Sequence, residues 1–416
     1  MLVPVPGVSP VLIEALVAAA QGARLALVGG AVRDLLLHHQ HRDPWRGLPD
    51  LDLVVEGQAR DLVACLPHVL PAGSTCSWRE HGNFGTVAVE LELPEVGVWL
   101  LDIASARRET YPAPAANPVV SLGCLEDDLA RRDFSVNAMA WLLQDSAAEP
   151  SSLLDPHHGQ QDLELRRLRL LHDTSLVDDP TRLVRAARYA ARLNFQLDSG
   201  SCEQARSVIA AWPWSWRMGD PAQQTPPALG TRLRMELELL LEREPWRLAL
   251  QHLQAWGGLA LLDPGLQRSS RWALALQRAT RLQLPPLAVL VACADDPVAL
   301  AARLQLPHRQ QQWLRGLSLM RAQLQVLEPD QRAGWGAGQW TDWLERQTDP
   351  VEVVTLALVC GDQPRRPLLR WWLLWRHVQP AQSARELLAE GVPPGPALGA
   401  RLRELRAQRL SAFDSV

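Results

Sequence analysis

The sequence predicts an α+β chain, with a mixed sheet and helices in its N-terminal part and helices alone in the remainder. Three observations predict this. Over residues 1–145, short apolar segments bounded by glycine alternate with helical patterns. From about Asp162 the apolar spacing becomes helical and stays so nearly to the end. One Pro-, Gly- and Gln-rich stretch, Trp212–Leu229 (WPWSWRMGDPAQQTPPAL), interrupts that run and reads as a long loop or hinge.

The N-terminal elements follow in order. A helix is expected near Ser9–Gln21, then a short apolar strand at Arg24–Val28. Gly29-Gly30 makes the turn into a helix over Ala31–His38. A second strand is expected at Asp50–Val55, and extended stretches at Gly85–Leu91 and Val96–Ile103. Pro-rich Tyr111–Val120 reads as a loop. Thirteen of the 17 tryptophans lie from Trp212 onward; helix-contact packing is the plain reading and base stacking the sharper one.

Composition removes several chemistries. The 416 residues contain no lysine, so all 42 basic residues are arginine. A phosphate loop ending in GK[ST] is therefore excluded, as are a Schiff-base lysine and a kinase-type ATP lysine. Cationic work falls to arginine, a permanently charged planar fork suited to phosphate and carboxylate. The formal net charge is −4, but the first 300 residues carry 27 Arg against 35 acids and the last 116 carry 15 against 11. A basic C-terminal part suits a polyanionic partner. The six cysteines form no CxxC pair, so neither a zinc site nor a disulfide framework is expected, and a reducing cytoplasm is the default. Residues 1–10 lack a basic n-region and a long apolar core, so no signal peptide is expected. The apolar run around Leu284–Ala294 is too short to span a bilayer, and no membrane partner is expected.

Four segments carry chemistry. The first is LVGGAVRDLLL, Leu27–Leu37, where two glycines open a helix whose free N–H groups bind anions and Arg33 adds a phosphate fork. The second is LPDLDLVVEG, Leu48–Gly57. On a strand, Asp50 and Asp52 share one face roughly 7 Å apart, while Leu51, Leu53 and Val55 take the other. Such a carboxylate pair can bracket divalent metal ions. The third is LARRDFSVNAMAW, Leu129–Trp141, with Arg131, Arg132 and Asp133 ahead of an apolar helical segment that Asp133 could simply cap. The fourth is VDDPTRLVRAARYAARLNF, Val177–Phe195, which places Asp179, Arg182, Arg185, Arg188 and Arg192 on one broad helical stripe; taken alone, that is a solvated, salt-bridged face.

In this combination and order the segments resemble the class II tRNA nucleotidyltransferases, the CCA-adding enzymes, and their bacterial poly(A) polymerase relatives. GGAVRD plus DLD resembles the family's motif A, RRDFSVNA motif B, LLDPHHGQQDLELRRLRLL (Leu153–Leu171) motif C, DDPTRLVRAARY motif D and TRLRMELELLL (Thr231–Leu241) motif E. The tail GVPPGPALGARLREL, Gly391–Leu405, resembles the family's C-terminal Pro-Gly turn into a helix. The resemblance covers about residues 20–245 and then thins. Some positions depart from it. His158-Gly159 stands where the family often has two glycines, and Gly230-Thr231 opens motif E where a Ser and a Glu are more usual. The loop Ser105–Ser121 lies where the family's flexible loop switches from C to A addition.

The resemblance implies a polymerase-β-like nucleotidyltransferase head over residues 1–145 and an all-α neck, body and tail over 146–262, 263–370 and 371–416. It implies that Asp50 and Asp52 bind Mg²⁺ and are catalytic, and that Gly29, Gly30 and Arg33 hold the triphosphate of CTP or ATP. Arg132, Asp133 and Asn137 would meet phosphate or ribose. Asp179 and Arg182 would read the base, with Arg185 and Arg188 beside the nucleotide. Asp102, on the stretch leading into the 105–121 loop, would be a third acid or a structural residue. The partner implied is tRNA, with no DNA. The activity implied is template-independent addition of CMP and AMP to the tRNA 3′ end. Addition of A only or CC only, poly(A) synthesis, and an inactive RNA-binding protein on the same fold are the alternatives. Nothing in the sequence speaks to oligomeric state.

Overall fold

The computed structural model describes residues 6, 8–45, 47, 51–81, 85–94, 96–143, 153–327, 332 and 334–413. The chain divides into two compact units. The first comprises residues 1–215, 226–228 and 248–256, and the second comprises 216–225, 229–247 and 257–416. The division falls within the Trp/Pro-rich stretch and again at either end of residues 248–256.

The first unit opens with α1 (Pro10–Ala19), β1 (Leu25–Val28), α2 (Gly30–His41) and β2 (Leu51–Val55). Then come α3 (Ala59–Val69), β3 (Thr75–His81), β4 (Thr86–Leu93) and β5 (Gly97–Ser105). After these lie β6 (Arg107–Thr110), β7 (Val119–Leu122), α4 (Leu125–Ala130), β8 (Ala140–Leu143) and β9 (Leu153–Leu154). Seven strands form one sheet in the order β3-β4-β5-β2-β1-β8-β9. β2 and β5 run parallel and the other neighbours antiparallel, so the sheet is mixed as expected. β1 (LALV) is buried along its whole length because both faces of the sheet are covered there. On one face Val28, Val54 and Ala26 pack with Leu125 and Leu129 of α4. α3 buries Ala59, Leu62, Val63 and Leu66, a helical stripe that apposes it to the sheet.

Beyond the sheet lie α5 (Gly159–Glu164), α6 (Ser175–Asp178), α7 (Thr181–Leu193) and α8 (Ser199–Ala211). Among its described residues the second unit has helices and 3₁₀ turns but no strand; its first α-helix is α9 (Thr231–Arg243) and its last is Pro396–Ser411. The expected Pro-Gly turn into that last helix is present, with Gly395 at φ +113°. Eight of the 13 tryptophans from Trp212 onward are buried and none is exposed, which favours packing over stacking.

Several expectations are corrected. The segment after Asp133 is not helical: it is a single 3₁₀ turn, Ser135–Asn137, followed by β8 in the sheet. The apolar run AMAWLL, residues 138–143, has no polar side chain to mark the change of period, and pairing with β1 decides it. The 105–121 segment is not all loop, because β6 and β7 pair antiparallel, Arg107 opposite Leu122. Ala115, between them, is fully buried and donates its N–H to the Val177 carbonyl, 3.2 Å. The stretch from Trp212 contains two 3₁₀ turns, Ala222–Gln224 and Pro227–Leu229, and its Trp214 is buried, donating to the Val177 carbonyl at 3.0 Å.

Candidate active site

Asp52 is the one exposed residue of β2, in a strand otherwise buried. Its partner across the parallel ladder is Asp102 of β5. Directly opposite residues share a sheet face, so the two carboxylates stand side by side on the face opposite Leu51, Leu53 and Ile103. Asp50 lies outside the described residues. Among the described residues no group of three or more His, Cys, Asp or Glu stands where it could hold a metal ion.

The turn from β1 into α2 supplies the second feature. Gly29 adopts φ +68° and ψ −133°, a conformation open to glycine and strained for other residues. A Cβ there would stand 2.8 Å from Nη1 of Arg132, so the missing side chain is what lets that guanidinium lie over the start of α2. Nη2 of Arg132 donates to the buried Asp128 at 2.8 Å, while its Nε is buried without a hydrogen-bond partner among the described residues. Helix N–H groups, a helix dipole and a guanidinium thus converge on one spot, an arrangement that attracts phosphate.

Motifs A, B and D are joined by a chain of hydrogen bonds. Arg33 is buried; it forks onto Asp34 (2.8 and 3.0 Å) and donates through Nη1 to Oδ1 of Asn137 (2.8 Å). Asn137 donates to Oδ1 of Asp133 at 3.1 Å, and the Phe134 N–H donates to the same oxygen at 2.9 Å. Oδ2 of Asp133 accepts from Nε of Arg185 at 2.8 Å. Nη2 of Arg185 lies 3.4 Å from the Tyr189 hydroxyl. Arg33 lies over the Tyr189 ring as well, 5.4 Å from its centroid. Asp133 therefore does more than cap the short turn after it: it ties α7 to motif B.

At the start of α7, Oδ1 of Asp179 accepts from the Thr181 hydroxyl (2.6 Å) and N–H (3.1 Å). Arg182 donates to the carbonyls of Ser175 (3.3 Å) and Arg131 (3.0 Å). Asp179, Arg182 and Arg188 are buried and Arg185 is half-buried, so the first turns of the arginine stripe are not a solvated face, whereas Arg192 at its end is exposed. Buried charges of this kind persist only when hydrogen-bonded and paired.

Motif C is architectural. Asp155 caps α5 by accepting from the N–H groups of Gly159 (2.6 Å) and Gln160 (3.0 Å). Asp162, fully buried, accepts from Ser135, Arg167 and Arg169. His158 takes the left-handed conformation, φ +57°, which accounts for glycine being usual at that place in the family. The sequence reading missed Asp128, which receives Arg131 at 2.7 Å and Arg132 at 2.8 Å. The i, i+3 and i, i+4 spacing to those arginines was the available signal.

Burial by itself pushes the Asp133 carboxyl up, but Arg185 and the Asn137 hydrogen bond outweigh it and hold the group below the usual aspartate value. Asp128 behaves alike, with Arg132 and Arg131 overcoming its burial. Both folded values are depressed, so the unfolded chain binds more protons in acid. Their stabilisation is therefore complete above the unfolded value of about 3.9 and is lost as pH falls through the lower folded values. Urea midpoints measured between pH 6 and pH 3 are expected to fall steeply below about pH 4, and less steeply in Asp133→Asn. An equal pH dependence in the variant would contradict this.

A family model described as "Poly A polymerase head domain" matches residues 25–169. The CC-adding tRNA nucleotidyltransferase of Deinococcus radiodurans is 39% identical over 294 residues, 68% of this chain and 68% of that protein. The A-adding tRNA nucleotidyltransferase of Halalkalibacterium halodurans is 30% identical over 393 residues, 89% of this chain and 81% of that protein. This chain belongs to the class II tRNA nucleotidyltransferase family within the poly(A) polymerase superfamily. Its fold is also that of solved members. A CCA-adding enzyme in an apo form superposes with TM-score 0.69 at 23% identity, covering 98% of this chain and 93% of that one. The Thermotoga maritima CCA-adding enzyme complexed with tRNA_CCA gives TM-score 0.63 at 22% identity, covering 97% and 92%.

As a tRNA nucleotidyltransferase, the chain keeps every motif in the first unit except motif E, whose helix α9 begins at Thr231 in the second. Gly29, Arg33, Arg132, Asp133, Asn137 and Arg185 are brought together by the contacts above. Gly30 opens α2, and a Cβ there would stand 3.2 Å from Nη2 of Arg33.

Proposed function

We propose that this enzyme adds CMP and AMP, without a template, to the 3′ end of tRNA. The observation that carries the reading is the acid pair Asp52 and Asp102, in register and accessible on one sheet face, within the same unit as the Gly29–Arg132 cradle and α7. In the reaction the RNA 3′ hydroxyl attacks the α-phosphate in line, a new phosphate ester forms and pyrophosphate leaves. The N–H groups at the start of α2 and the Arg132 guanidinium hold the triphosphate. Asp133 and Asn137 keep Arg185 and Arg33 in place beside it.

Mg²⁺ fits the donors present, since carboxylate oxygens alone make a hard site suited to it. Asp52 and Asp102, with Asp50, would hold it. When bound, the ion neutralises the phosphates and makes the attacking hydroxyl easier to ionise.

Base choice follows from donor and acceptor logic. Cytosine and adenine each present an amino donor beside a ring-nitrogen acceptor, whereas guanine and uracil present a carbonyl beside an N–H. An ionised aspartate only accepts and an arginine only donates. Asp179 and Arg182 together therefore match C and A and oppose G and U. Each mismatch costs roughly 1–3 kcal/mol. In Asp179→Asn the side chain both donates and accepts, so the ratio of kcat/KM for CTP over UTP is expected to fall by about tenfold or more. An unchanged ratio would count against this pairing.

The test of the reaction is incubation of purified protein with Mg²⁺, CTP or ATP, and tRNA ending in -N, -C or -CC. CMP addition to the first two and AMP addition to the third is expected; no incorporation on any end overturns the proposal. CC-only addition is the second reading, favoured by the similarity to the D. radiodurans CC-adding enzyme, and it would show as absence of AMP on -CC ends. The boundaries at residues 145, 262 and 370 for head, neck, body and tail are part of the same proposal.

A further inference from the structure

The accessible part of the sheet face, beyond the region that α4 covers, does not end at the acid pair. Across the ladders, Asp52 of β2 stands opposite Asp102 of β5, Asp102 opposite Ala88 of β4, and Ala88 opposite Arg79 of β3. Opposed residues point to one side, so the four form a single row on one face. Strands lie about 4.8 Å apart, which puts the Arg79 Cα about 10 Å from that of Asp102. The residue between them is the small Ala88, and it leaves a floor where a larger side chain would stand. An open groove of about 520 Å³ occupies this place, lined by Asp102, Ala88, Arg79, Ser77, Glu90 and Leu100 among others. Arg79 is exposed and its side chain makes no hydrogen bond or ion pair among the described residues. This contrasts with Arg33, Arg132 and Arg185, each of which is tied to an acid.

The geometry points to Arg79 as the residue that grips a backbone phosphate at the 3′ end of the acceptor RNA, with that end's terminal nucleotide lying in the groove and its 3′ hydroxyl toward Asp102 and Asp52. This rests on the nucleotidyl-transfer reading above. The charges set the direction. The incoming triphosphate has its own cradle at Gly29 and Arg132. The attacking hydroxyl must reach the acids from another side, and the groove is an approach along the sheet. A nucleotide lying there has its hydroxyl at the acidic end and its phosphate one nucleotide-length away, near the free guanidinium. A phosphate is an anion that a guanidinium binds as a fork, and the flat floor at Ala88 admits a ribose.

Steady-state kinetics of wild type, Arg79→Ala and Arg79→Lys with a -C-ended acceptor minihelix and CTP test it. For Arg79→Ala, KM for the RNA is expected to rise about tenfold with KM for CTP unchanged. Loss of one phosphate contact should also flatten the slope of log affinity against log salt by about 0.7–1. Arg79→Lys, which keeps the charge, should recover most of that slope. Because Arg79 is exposed on an edge strand, melting temperature and CTP binding serve as controls that the variant is folded. An unchanged KM for RNA with an unchanged salt slope overturns the proposal, and so does a rise confined to KM for CTP. Wild-type transfer separates the two readings. If wild type adds no nucleotide to any end, the reaction itself is wrong; if wild type is active and Arg79→Ala equals it, only the assignment of Arg79 falls.

Discussion

Asp52→Ala is expected to lower the rate of nucleotide transfer by at least about 10³-fold while leaving RNA affinity within about twofold of wild type. The residue is exposed on a strand whose other positions are buried, so its removal opens no cavity in the core. The melting temperature should therefore change little. Under the proposed function the loss would fall on the reacting atoms, because Asp52 would help to hold the divalent ion that eases ionisation of the attacking hydroxyl and offsets charge on the leaving pyrophosphate. Asp102→Asn distinguishes a metal-holding acid from a bystander. It should lower kcat and raise the Mg²⁺ concentration needed for half-maximal rate, because an amide oxygen is a weaker ligand than a carboxylate. A variant of Asp52 with more than a tenth of wild-type kcat would remove the acid pair from the mechanism.

Asp133→Ala is expected to destabilise the protein by about 1–3 kcal/mol, the range for leaving buried donors without their acceptor. Asp133 is buried and its two oxygens serve three donors: the Phe134 N–H, the Asn137 amide and Nε of Arg185. The alanine variant removes the carboxylate that Arg185 bonds and lets Asn137 turn away from Arg33. Asp133→Asn is the more informative variant. Its amide oxygen can still accept from Asn137, but its NH₂ group then faces the Arg185 N–H, donor against donor. Part of the stability should return while KM for CTP and kcat both stay impaired, because Arg185 is displaced. Denaturant unfolding with steady-state kinetics on both variants checks this. Equal activity in wild type and Asp133→Asn would show that the tie between motif B and α7 is dispensable.

Legibility in the sequence followed the strength of local signals. β1 and β2 are apolar runs beside glycine or acid punctuation, and both lie within a residue of where the pattern puts them. β3 was not legible. Its sequence, TCSWREH, has no apolar alternation, because it is an edge strand with every residue exposed or half-buried. α3 carried a readable stripe, Ala59, Leu62, Val63 and Leu66, but no helix was read there; Pro67 in its last turn weakens the local pattern. Among the site residues, Gly29 and Arg33 were readable from the strand–turn–helix pattern. Asp128 and Arg79 were not, since an acid or an arginine in a polar stretch says nothing of what it faces.

The sequence by itself determined the chemistry available to this protein. No lysine is present, so arginine carries all the side-chain cationic work, and the order of motifs assigns the family. It also determined the succession from mixed sheet to helices, because hydrophobic period is a local property. Only the tertiary structure decided which partner each charge has. The arginines of α7 look alike in sequence, yet Arg182 donates to two carbonyls, Arg185 donates to Asp133 and Arg192 is exposed. Asp102, about 50 residues beyond Asp52, became its neighbour only through the register of β2 and β5. Strand pairing joins distant segments by hydrogen bonds between backbones that carry no side-chain code, so the face on which two acids meet is fixed by the sheet.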